Sequence, residues 1–385
     1  MKNIAVVIDI THDSGGKENM SLSVCSHLSE IKQFNFIYIT TYDKTKKILE
    51  NKLGKKILLY NKNNFLNKLN NRLKRVFSFL PIDYPFQRFL LKKKVDLVYF
   101  LDSSSLATTV KKTKFIYSIL DIDHRNQKKL KEFKKIFKKR DDEYLFSSKN
   151  ASKIIIGANK LKKEILDAYK IDYRKIVEIK FPPILTSIDS YQNESIREEI
   201  LNINKVGNYL LYPAQFWEHK NHIYIVDAVD FLKKERELDF KIIFTGHDKG
   251  NLLNIKSIIK NKNLEESFVI FDYVKDEELI YLYKNCSCII IPTLVAPHTF
   301  PLYEAFYFKK PVIYNKFILD EQLLHRVIKL DVNEIENFKE AINHLKDEEF
   351  IKKITDDNYQ YYKKIFNKNK NIEVLYKLLN TTLNE

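Results

Sequence analysis

The sequence is poor in glycine and cysteine, and it has no long apolar segment. Only 7 of 385 residues are glycine, where about 7% is usual. The three cysteines, Cys25, Cys286 and Cys288, are too few and too poorly spaced for a disulfide framework or a zinc site. No apolar run approaches the ~20 residues of a membrane span. These absences argue against a disulfide-rich secreted domain and a membrane-spanning chain, and they favour a cytosolic protein.

Two common nucleotide-binding motifs are also missing. Neither half carries G-x-G-x-x-G after its first predicted strand, and no Walker A sequence occurs, so a nicotinamide or P-loop site has little support. The start, MKNIAVVIDITHDSGG, continues into Asp9 and lacks a small-residue cleavage site, which indicates a first strand and not a signal peptide. Because glycine is so rare, the adjacent pair Gly15 and Gly16 is expected where a side chain cannot fit.

Positive charge is concentrated in the first half of the chain. Residues 1–185 hold 39 Lys and Arg against 19 Asp and Glu, a net charge of +20, whereas the remainder holds 27 against 31, a net charge of −4. A genome-wide bias towards lysine would act on both halves alike. Within the basic half, residues 64–80 predict an amphipathic helix with a basic face. This face is either solvated or docks on anionic lipid headgroups.

Strand-like apolar runs alternate with helical segments twice along the chain, which predicts two doubly wound, mostly parallel α/β domains. We expect two Rossmann-like domains over 1–185 and 186–365 that face each other across a cleft, with 366–385 as a helix packing back on the first. Residues 181–195 contain two prolines and predict the linker. The predicted strands lie near 3–9, 35–40, 56–60, 96–101, 115–120, 153–157, 208–213, 240–245, 267–272, 287–291, 311–314 and 327–330.

The second domain carries polar residues where its strands end, the usual place for ligands in this architecture. Lys220 in YPAQFWEHKNH could aim an ammonium group at an anion, although a solvated lysine is the alternative. In SFVIFDYVKDEEL a strand is followed by a helix whose predicted N-cap is Asp276. In PTLVAPHTFPLYEAF, Pro301 suits the start of a helix whose free amides would bind an anion. Glu304, one turn later, could accept hydrogen bonds from two ribose hydroxyls, or it could be an ordinary first-turn acid.

These segments, in order, resemble the nucleotide-sugar half of family 4 retaining glycosyltransferases, which have the GT-B fold. The stretches are YPAQFWEHKNH, FTG, DYVKDEEL and PTLVAPHTFPLYEAFYFKKPVI, and the resemblance covers about 205–330. In that family the loop before the glutamate-bearing helix usually reads E-G-F-G-L-P-x-x-E. Pro301 and Glu304 match it, whereas Ala296 replaces the first acid. Gln215 stands in place of the arginine that precedes the matching Lys220.

The resemblance implies a role for each matching residue of a donor site. Glu304 would bind the ribose, Lys220 the diphosphate, and the backbone near Val274 the base. The amides around Thr299, Phe300 and Leu302 would hold phosphate or sugar. His298 and Thr299 would contact the sugar in place of the acid that Ala296 replaces. The further donor-binding positions are Gly15, Gly16, Gln215 and Gly246, although a tight turn is the alternative for Gly15 and Gly16. No metal and no other cofactor is expected.

The first domain contributes the segment FIYSILDIDHRNQ at the end of a predicted strand. In the resembling family a His-Asp pair often stands there, and the matching pair is Leu120 and Asp121. His124 and Arg125 resemble a variant that reads Asp-x-x-His-Arg. The resemblance implies that Asp121, His124, Arg125 and Lys220 are catalytic, with His124 facing the transferred sugar or acceptor hydroxyl and Arg125 near the phosphates. A structural histidine is the alternative.

The expected activity is metal-independent, retaining transfer of a sugar from a nucleotide-diphosphate sugar to a glycan or polyprenyl-linked acceptor. We expect it to serve bacterial surface polysaccharide synthesis, such as capsule or lipopolysaccharide, on the inner face of the cytoplasmic membrane. Three alternatives remain open: a nucleotide-sugar epimerase or phosphorylase of the same fold, a non-catalytic relative, and a basic binding protein. Nucleic acid is not an expected partner, because no recognition motif for it occurs.

Overall fold

The chain forms two compact units, each built on one parallel sheet. The computed structural model describes residues 1–11, 15–62, 84–187, 196–203, 207–295 and 300–385. Unit 1 consists of Met1–Phe181 together with Phe366–Glu385, and unit 2 consists of Pro182–Ile365. The amphipathic helix expected at 64–80 lies outside the described residues.

Unit 1 contains a sheet of seven described strands, in the order β3-β2-β1-β4-β5-β6-β7. The strands are β1 (Lys2–Ile8), β2 (Phe34–Thr40), β3 (Ile57–Leu59), β4 (Leu97–Phe100), β5 (Lys114–Ser118), β6 (Lys153–Ile156) and β7 (Ile176–Glu178). The helices are α1 (Gly16–Ser29), α2 (Asp43–Leu53), α3 (Pro85–Lys92), α4 (Asp123–Asn126), α5 (Lys131–Asn150) and α6 (Asn159–Tyr169). Short 3₁₀ turns lie at Ser105–Thr109 and Tyr173–Lys175.

The strands of unit 1 form where the sequence is continuously apolar. Ile4 to Ile8 in β1 and Leu97 to Phe100 in β4 are all buried, as expected for a parallel sheet covered by helices on both faces. Because β1 and β4 are adjacent and parallel, the loops that follow them emerge at the same edge of the sheet. This carboxyl edge is where Asp9 and Asp102 lie.

Unit 2 contains a sheet of six described strands, in the order β10-β9-β8-β11-β12-β13. They are β8 (Tyr209–Pro213), β9 (Lys241–Thr245), β10 (Phe268–Phe271), β11 (Cys288–Ile291), β12 (Val312–Asn315) and β13 (Ile328–Leu330). The helices are α7 (Glu198–Leu201), α8 (His222–Lys234), α9 (Leu252–Asn261), α10 (Asp276–Asn285), α11 (Phe300–Tyr307), α12 (Asn337–Asn343) and α13 (Glu348–Ile365). Its 3₁₀ turns lie at Ile184–Ser187, Glu218–Lys220, Glu265–Ser267, Glu321–Arg326 and His344–Lys346.

The last helix of the chain, α14 (Lys368–Asn384), belongs to unit 1. The Tyr376 ring stacks on Phe34 of β2, with centroids 5.7 Å apart. The Asn371 amide donates to the Lys180 carbonyl at 2.7 Å. Leu375 and Leu379 are fully buried, so this helix contributes to the apolar interior of unit 1.

The observed elements match most of the predicted ones. All twelve predicted strands are present within about two residues of their expected positions, whereas β7 was not predicted. Among the described helices, none combines the length and the apolar character that a membrane span requires.

Candidate functional site

In unit 2, the loops that follow β8 and β11 are joined by hydrogen bonds at the carboxyl edge of the sheet. The His219 carbonyl accepts from the Leu294 amide at 2.8 Å and from the Thr293 hydroxyl at 3.2 Å. The Asn315 amide, at the end of β12, donates to the Thr293 carbonyl at 2.9 Å. The loop that carries Lys220 and the chain leading towards α11 are therefore fixed to each other.

Lys220 lies on the short 3₁₀ turn Glu218–Lys220 between β8 and α8. The hydroxyl of the buried Tyr212 donates to the Lys220 carbonyl at 2.8 Å, and Asn221 ends the turn with a left-handed φ of 57°. Gln215, earlier in the loop, accepts from the Trp217 indole through its side-chain oxygen at 3.1 Å. The backbone of Lys220 is thus held in place while its side chain is only half-buried.

Glu304 is the fifth residue of α11, which begins at Phe300, one residue before Pro301. Its side chain is only 3% exposed. The Tyr283 hydroxyl on α10 donates to Glu304 Oε2 at 2.6 Å. Burial raises the pKa of Glu304 to about 7, even though the hydrogen bond from Tyr283 opposes this change. A buried carboxyl group with a raised pKa is one of the features by which functional sites are recognised.

At Gly246 two backbone segments come so close together that no side chain fits between them. A Cβ atom at this position would lie 2.5 Å from the Ala214 carbonyl oxygen and 2.8 Å from the Gln215 amide nitrogen. The Phe216 amide donates to the His247 carbonyl at 3.0 Å beside this contact. The glycine therefore lets the loop after β9 pack directly on the loop after β8.

The start of α10 differs from the expected one. Asp276 was expected to be the N-cap residue, but Lys275 occupies that position with extended φ and ψ angles. The reason is that Glu278, three residues on, accepts from the Lys275 amide at 2.9 Å and so satisfies the exposed amide. Arg197 also donates to Glu278, at 2.7 Å. Val274, which immediately precedes this cap, is buried with a 7% exposed side chain.

The structure describes only some of the remaining residues that were expected to bind the donor. Phe300 is half-buried at the first position of α11, and Leu302 is fully buried in the interior of unit 2. Ala296, His298 and Thr299 lie outside the described residues. The role expected for each of these residues towards a donor stays a prediction.

In unit 1, Gly15 and Gly16 lie at the start of α1. Gly15 is the N-cap residue with a φ of 56°, a conformation that glycine adopts readily and most other residues avoid. In the first turn of this helix, the Lys17 ammonium donates to Asp102 at 2.9 Å. The positive φ angle of Gly15 therefore explains why a glycine stands at this position.

Asp121 and its neighbours form an ionic network between the end of β5 and helix α5. Arg140 donates to Asp121 at 2.8 Å. Burial of Asp121 opposes its ionisation, but Arg140 and Lys17 outweigh this and hold its pKa below the usual range. Arg125 forms a two-point ion pair with Asp141, one contact being 2.8 Å.

His124 is fully buried beside this network. Its Nε2 lies 3.4 Å from Asp141 Oδ1, and its ring meets Tyr144 edge-on with centroids 5.4 Å apart. Burial, followed by the charge of Arg140, lowers the pKa of His124. The structure thus brings His124, Arg125 and Asp121 into one cluster, while a catalytic role for each of them stays a prediction.

A further polar cluster of unit 1, around Asp9, was not anticipated from the sequence. The buried Asp9 carboxylate accepts from the Thr41 and Ser104 hydroxyls and pairs with Lys62. These four residues follow β1, β2, β4 and β3, respectively, so they meet at one edge of the sheet. The only sequence signal was a polar residue after each apolar run. Across the described residues, no group of three or more His, Cys, Asp or Glu side chains could hold a metal ion.

Most of unit 2 resembles a known protein family. Residues 193–365 match the family Glycosyl transferases group 1. No curated protein matches the sequence. Most of unit 2 is therefore similar to glycosyl transferases of group 1.

Solved structures resemble the chain over nearly its whole length. HepE of Anabaena, in complex with UDP and glucose, has a TM-score of 0.76 at 13% identity and covers 99% of this chain and 100% of that chain. A glycosyltransferase from Rickettsia africae has a TM-score of 0.71 at 20% identity, with 99% and 98% covered.

A third similar structure is WaaG, a glycosyltransferase involved in lipopolysaccharide biosynthesis. It has a TM-score of 0.67 at 11% identity, with 96% of this chain and 99% of that chain covered. At such identities the similarity establishes the fold alone. The prediction of two doubly wound, Rossmann-like domains of the GT-B type is thereby confirmed.

Proposed function

We propose that the protein is a retaining glycosyltransferase that transfers a sugar from a nucleotide-diphosphate sugar to a hydroxyl group of a glycan or lipid-linked acceptor. One observation carries the proposal. Glu304, buried on a helix that follows β11, lies at the same sheet edge as the loop bearing Lys220, within a unit that matches a glycosyl transferase family. A carboxylate, an ammonium group and a helix N-terminus at one edge suit a nucleoside diphosphate.

Each group of this site would interact with one part of the donor. The Glu304 carboxylate would accept hydrogen bonds from the ribose hydroxyls, and the backbone near Val274 would contact the base. The Lys220 ammonium and the first amides of α11, at Phe300 and Leu302, would stabilise the diphosphate as it departs. Gln215, Gly246, His298 and Thr299 complete the proposed donor site.

Retention at the anomeric carbon and the absence of a metal cofactor are part of the proposal, and they rest on the resemblance to family 4. Attack on the same face as the departing diphosphate needs no protein nucleophile. We assign the acceptor to unit 1, where Asp121, His124 and Arg125 cluster and where Gly15 and Gly16 would approach the donor phosphate. In this role Arg125 would exchange its pair with Asp141 for a phosphate group.

The charge of unit 1 supports a peripheral location on the inner face of the cytoplasmic membrane. Helix α5 carries exposed lysines along its outer side, together with Ile136, which is 42% exposed. Anionic headgroups attract such a surface, each lysine contributing about 1 kcal/mol. A lipid-linked acceptor, as in the synthesis of a bacterial capsule or lipopolysaccharide, would place the substrate at that surface.

The proposal is tested by incubating the purified protein with a panel of UDP-, GDP- and ADP-sugars. We expect at least one of them to raise the melting temperature and to be hydrolysed slowly in the absence of acceptor, with release of the nucleoside diphosphate. The anomeric configuration of the released sugar, followed by NMR, reports retention. Absence of both binding and hydrolysis across the panel would overturn the proposal, and interconversion of two nucleotide sugars would identify an epimerase.

A further inference from the structure

Glu304 is held from the neighbouring helix by a single, well-defined hydrogen bond. The Tyr283 hydroxyl lies 2.6 Å from Glu304 Oε2, and both side chains are almost completely buried. The Tyr283 ring is itself fixed, because it stacks on Phe308 with centroids 5.3 Å apart and planes inclined by 23°. A rigid donor therefore determines where one oxygen of this carboxylate lies.

The bond also determines how the remaining hydrogen-bonding capacity of Glu304 is directed. An ionised carboxylate only accepts hydrogen bonds, with about four lone-pair positions on its two oxygens. Tyr283 occupies one position on Oε2, which restrains the orientation of the carboxylate and hence the direction of the other positions. A ligand with two adjacent hydroxyl groups, such as a ribose, requires two such positions in a fixed orientation.

We propose that Tyr283 is a positioning residue of the donor site, which orients the Glu304 carboxylate for the vicinal hydroxyls of the ribose and favours its ionised, accepting form. This inference rests on the proposed function. Tyr283 would touch no ligand and would act only through Glu304.

The groups around Glu304 explain why such a donor is needed. Helix α10 contributes Tyr283 and Asp276, and the charge of Asp276 adds to burial in raising the pKa of Glu304. Helix α13 contributes Tyr362, whose own pKa is raised by burial and, to a smaller extent, by Glu304. Strand β11 and the turn Ile184–Ser187, which also pack on α11, bring no carboxylate, imidazole or basic side chain. Among the named groups, Tyr283 is the one that favours the ionised carboxylate.

The test is calorimetric titration of the full-length protein with UDP, GDP and ADP between pH 6 and 9. In the wild type, affinity for the diphosphate that binds is expected to rise with pH as Glu304 ionises. Tyr283→Phe keeps the ring and removes the hydroxyl. We expect about tenfold weaker binding at pH 7, and a midpoint of the pH profile about one unit higher, because a hydrogen bond to a charged group is lost.

Two further variants separate positioning from a general effect on folding. Tyr281→Phe is the matched control, since Tyr281 lies on the same helix and its hydroxyl donates to the Leu201 carbonyl at 3.1 Å. Its pH profile should equal that of the wild type. In a Glu304→Gln background, Tyr283→Phe should have little additional effect on affinity, because the two residues act as a pair.

Two results would overturn the inference while leaving the proposed function intact. One is a Tyr283→Phe variant that binds the diphosphate with wild-type affinity and an unshifted midpoint. The other is a loss of affinity that is equal at every pH and equal in the Glu304→Gln background, which indicates a merely structural tyrosine. If the wild type binds none of the three diphosphates, the proposed function itself fails.

Discussion

Arg140 and Asp121 form an ion pair of 2.8 Å that links helix α5 to the end of β5. The two side chains are 11% and 20% exposed, and the Arg140 guanidinium also donates to the Tyr144 hydroxyl at 2.9 Å. An ion pair so shielded from water differs from the many exposed pairs of this lysine-rich protein. It holds the residues expected to be catalytic at a defined distance from the sheet.

Replacing Arg140 by Met should therefore destabilise unit 1 substantially. The change removes the arginine partner of a carboxylate that is only 20% exposed, and we expect the free energy of unfolding to fall by about 3 kcal/mol. Chemical denaturation followed by circular dichroism measures this loss. Lys377→Met, which removes the exposed pair with Glu373, is the control and should leave stability unchanged. Equal stability of the two variants would show that the Arg140–Asp121 pair does not stabilise unit 1.

His222 should make the stability of unit 2 depend on pH. Burial among Tyr212, Phe216 and Phe244, with ring centroids 4.7 to 4.9 Å away, lowers the pKa of His222 to about 3. The unfolded chain binds a proton near pH 6.5, whereas the folded chain does not. The stabilisation is therefore complete above pH 6.5 and decreases as the pH falls towards 3, by about 1.4 kcal/mol per unit.

The His222→Leu variant tests this pH dependence. Its unfolding free energy should fall less steeply than that of the wild type between pH 6.5 and pH 4.5. Val229→Ala removes apolar volume from the same helix and should lower stability by a similar amount at every pH. Parallel profiles for the wild type and His222→Leu would show that His222 does not titrate as described.

Gly246→Ala should strain the contact between the loops after β9 and β8. The added Cβ would lie 2.5 Å from a backbone oxygen, so the loops must separate, at a cost of about 2 kcal/mol. Thermal unfolding and nucleotide binding should both be affected. At Gly157 a Cβ meets no atom within 4 Å, so Gly157→Ala is the matched control and is expected to be tolerated.

Lys220→Ala should weaken binding of a nucleoside diphosphate by at least about tenfold, because a charge-assisted contact with the diphosphate is removed. The variant should bind the corresponding nucleoside almost as tightly as the wild type does, since the nucleoside carries no phosphate. Lys256, exposed on α9 of the same unit, is the control for loss of charge. If Lys220→Ala and Lys256→Ala bind the diphosphate equally well, Lys220 is not part of the donor site.

The exposed lysines of α5 should bind anionic vesicles. Replacing Lys134, Lys135 and Lys138 by Gln is expected to lower the affinity for phosphatidylglycerol vesicles by roughly a hundredfold, at about 1 kcal/mol per lysine. Co-sedimentation at increasing salt measures the electrostatic contribution.

Three exposed lysines of unit 2 provide the control for that experiment. They are Lys256, Lys260 and Lys352, which are changed to Gln together. This triple variant should bind the vesicles like the wild type. Equal binding by both triple variants would contradict a lipid-docking role for α5.

The strands could be predicted because a parallel sheet buried on both faces leaves continuous apolar runs in the sequence. Strand β7 was not predicted, since it has three residues and one of them is Glu178. The N-cap of α10 was placed one residue late because an acidic Asp276 suits that position by itself. The hydrogen bond that decides the cap is donated by the Lys275 amide to Glu278, and it forms only in the folded chain.

The site residues were predictable in location but not in their contacts. Lys220, Gly246 and Glu304 follow strands, so their position at one sheet edge could be inferred. The pairs Tyr283–Glu304 and Arg140–Asp121 join residues 21 and 19 positions apart on different elements. No local pattern marks such pairs, because packing and not spacing along the chain selects them.

The position of α14 has a consequence for the order in which the protein is made. Most of unit 1 is synthesised first, yet the helix that packs against its Phe34 and Lys180 is encoded after all of unit 2. At roughly 5–20 residues per second on the ribosome, unit 1 waits on the order of 10 to 40 seconds for this helix. During that interval the apolar surface that later meets Leu375 and Leu379 is exposed to water.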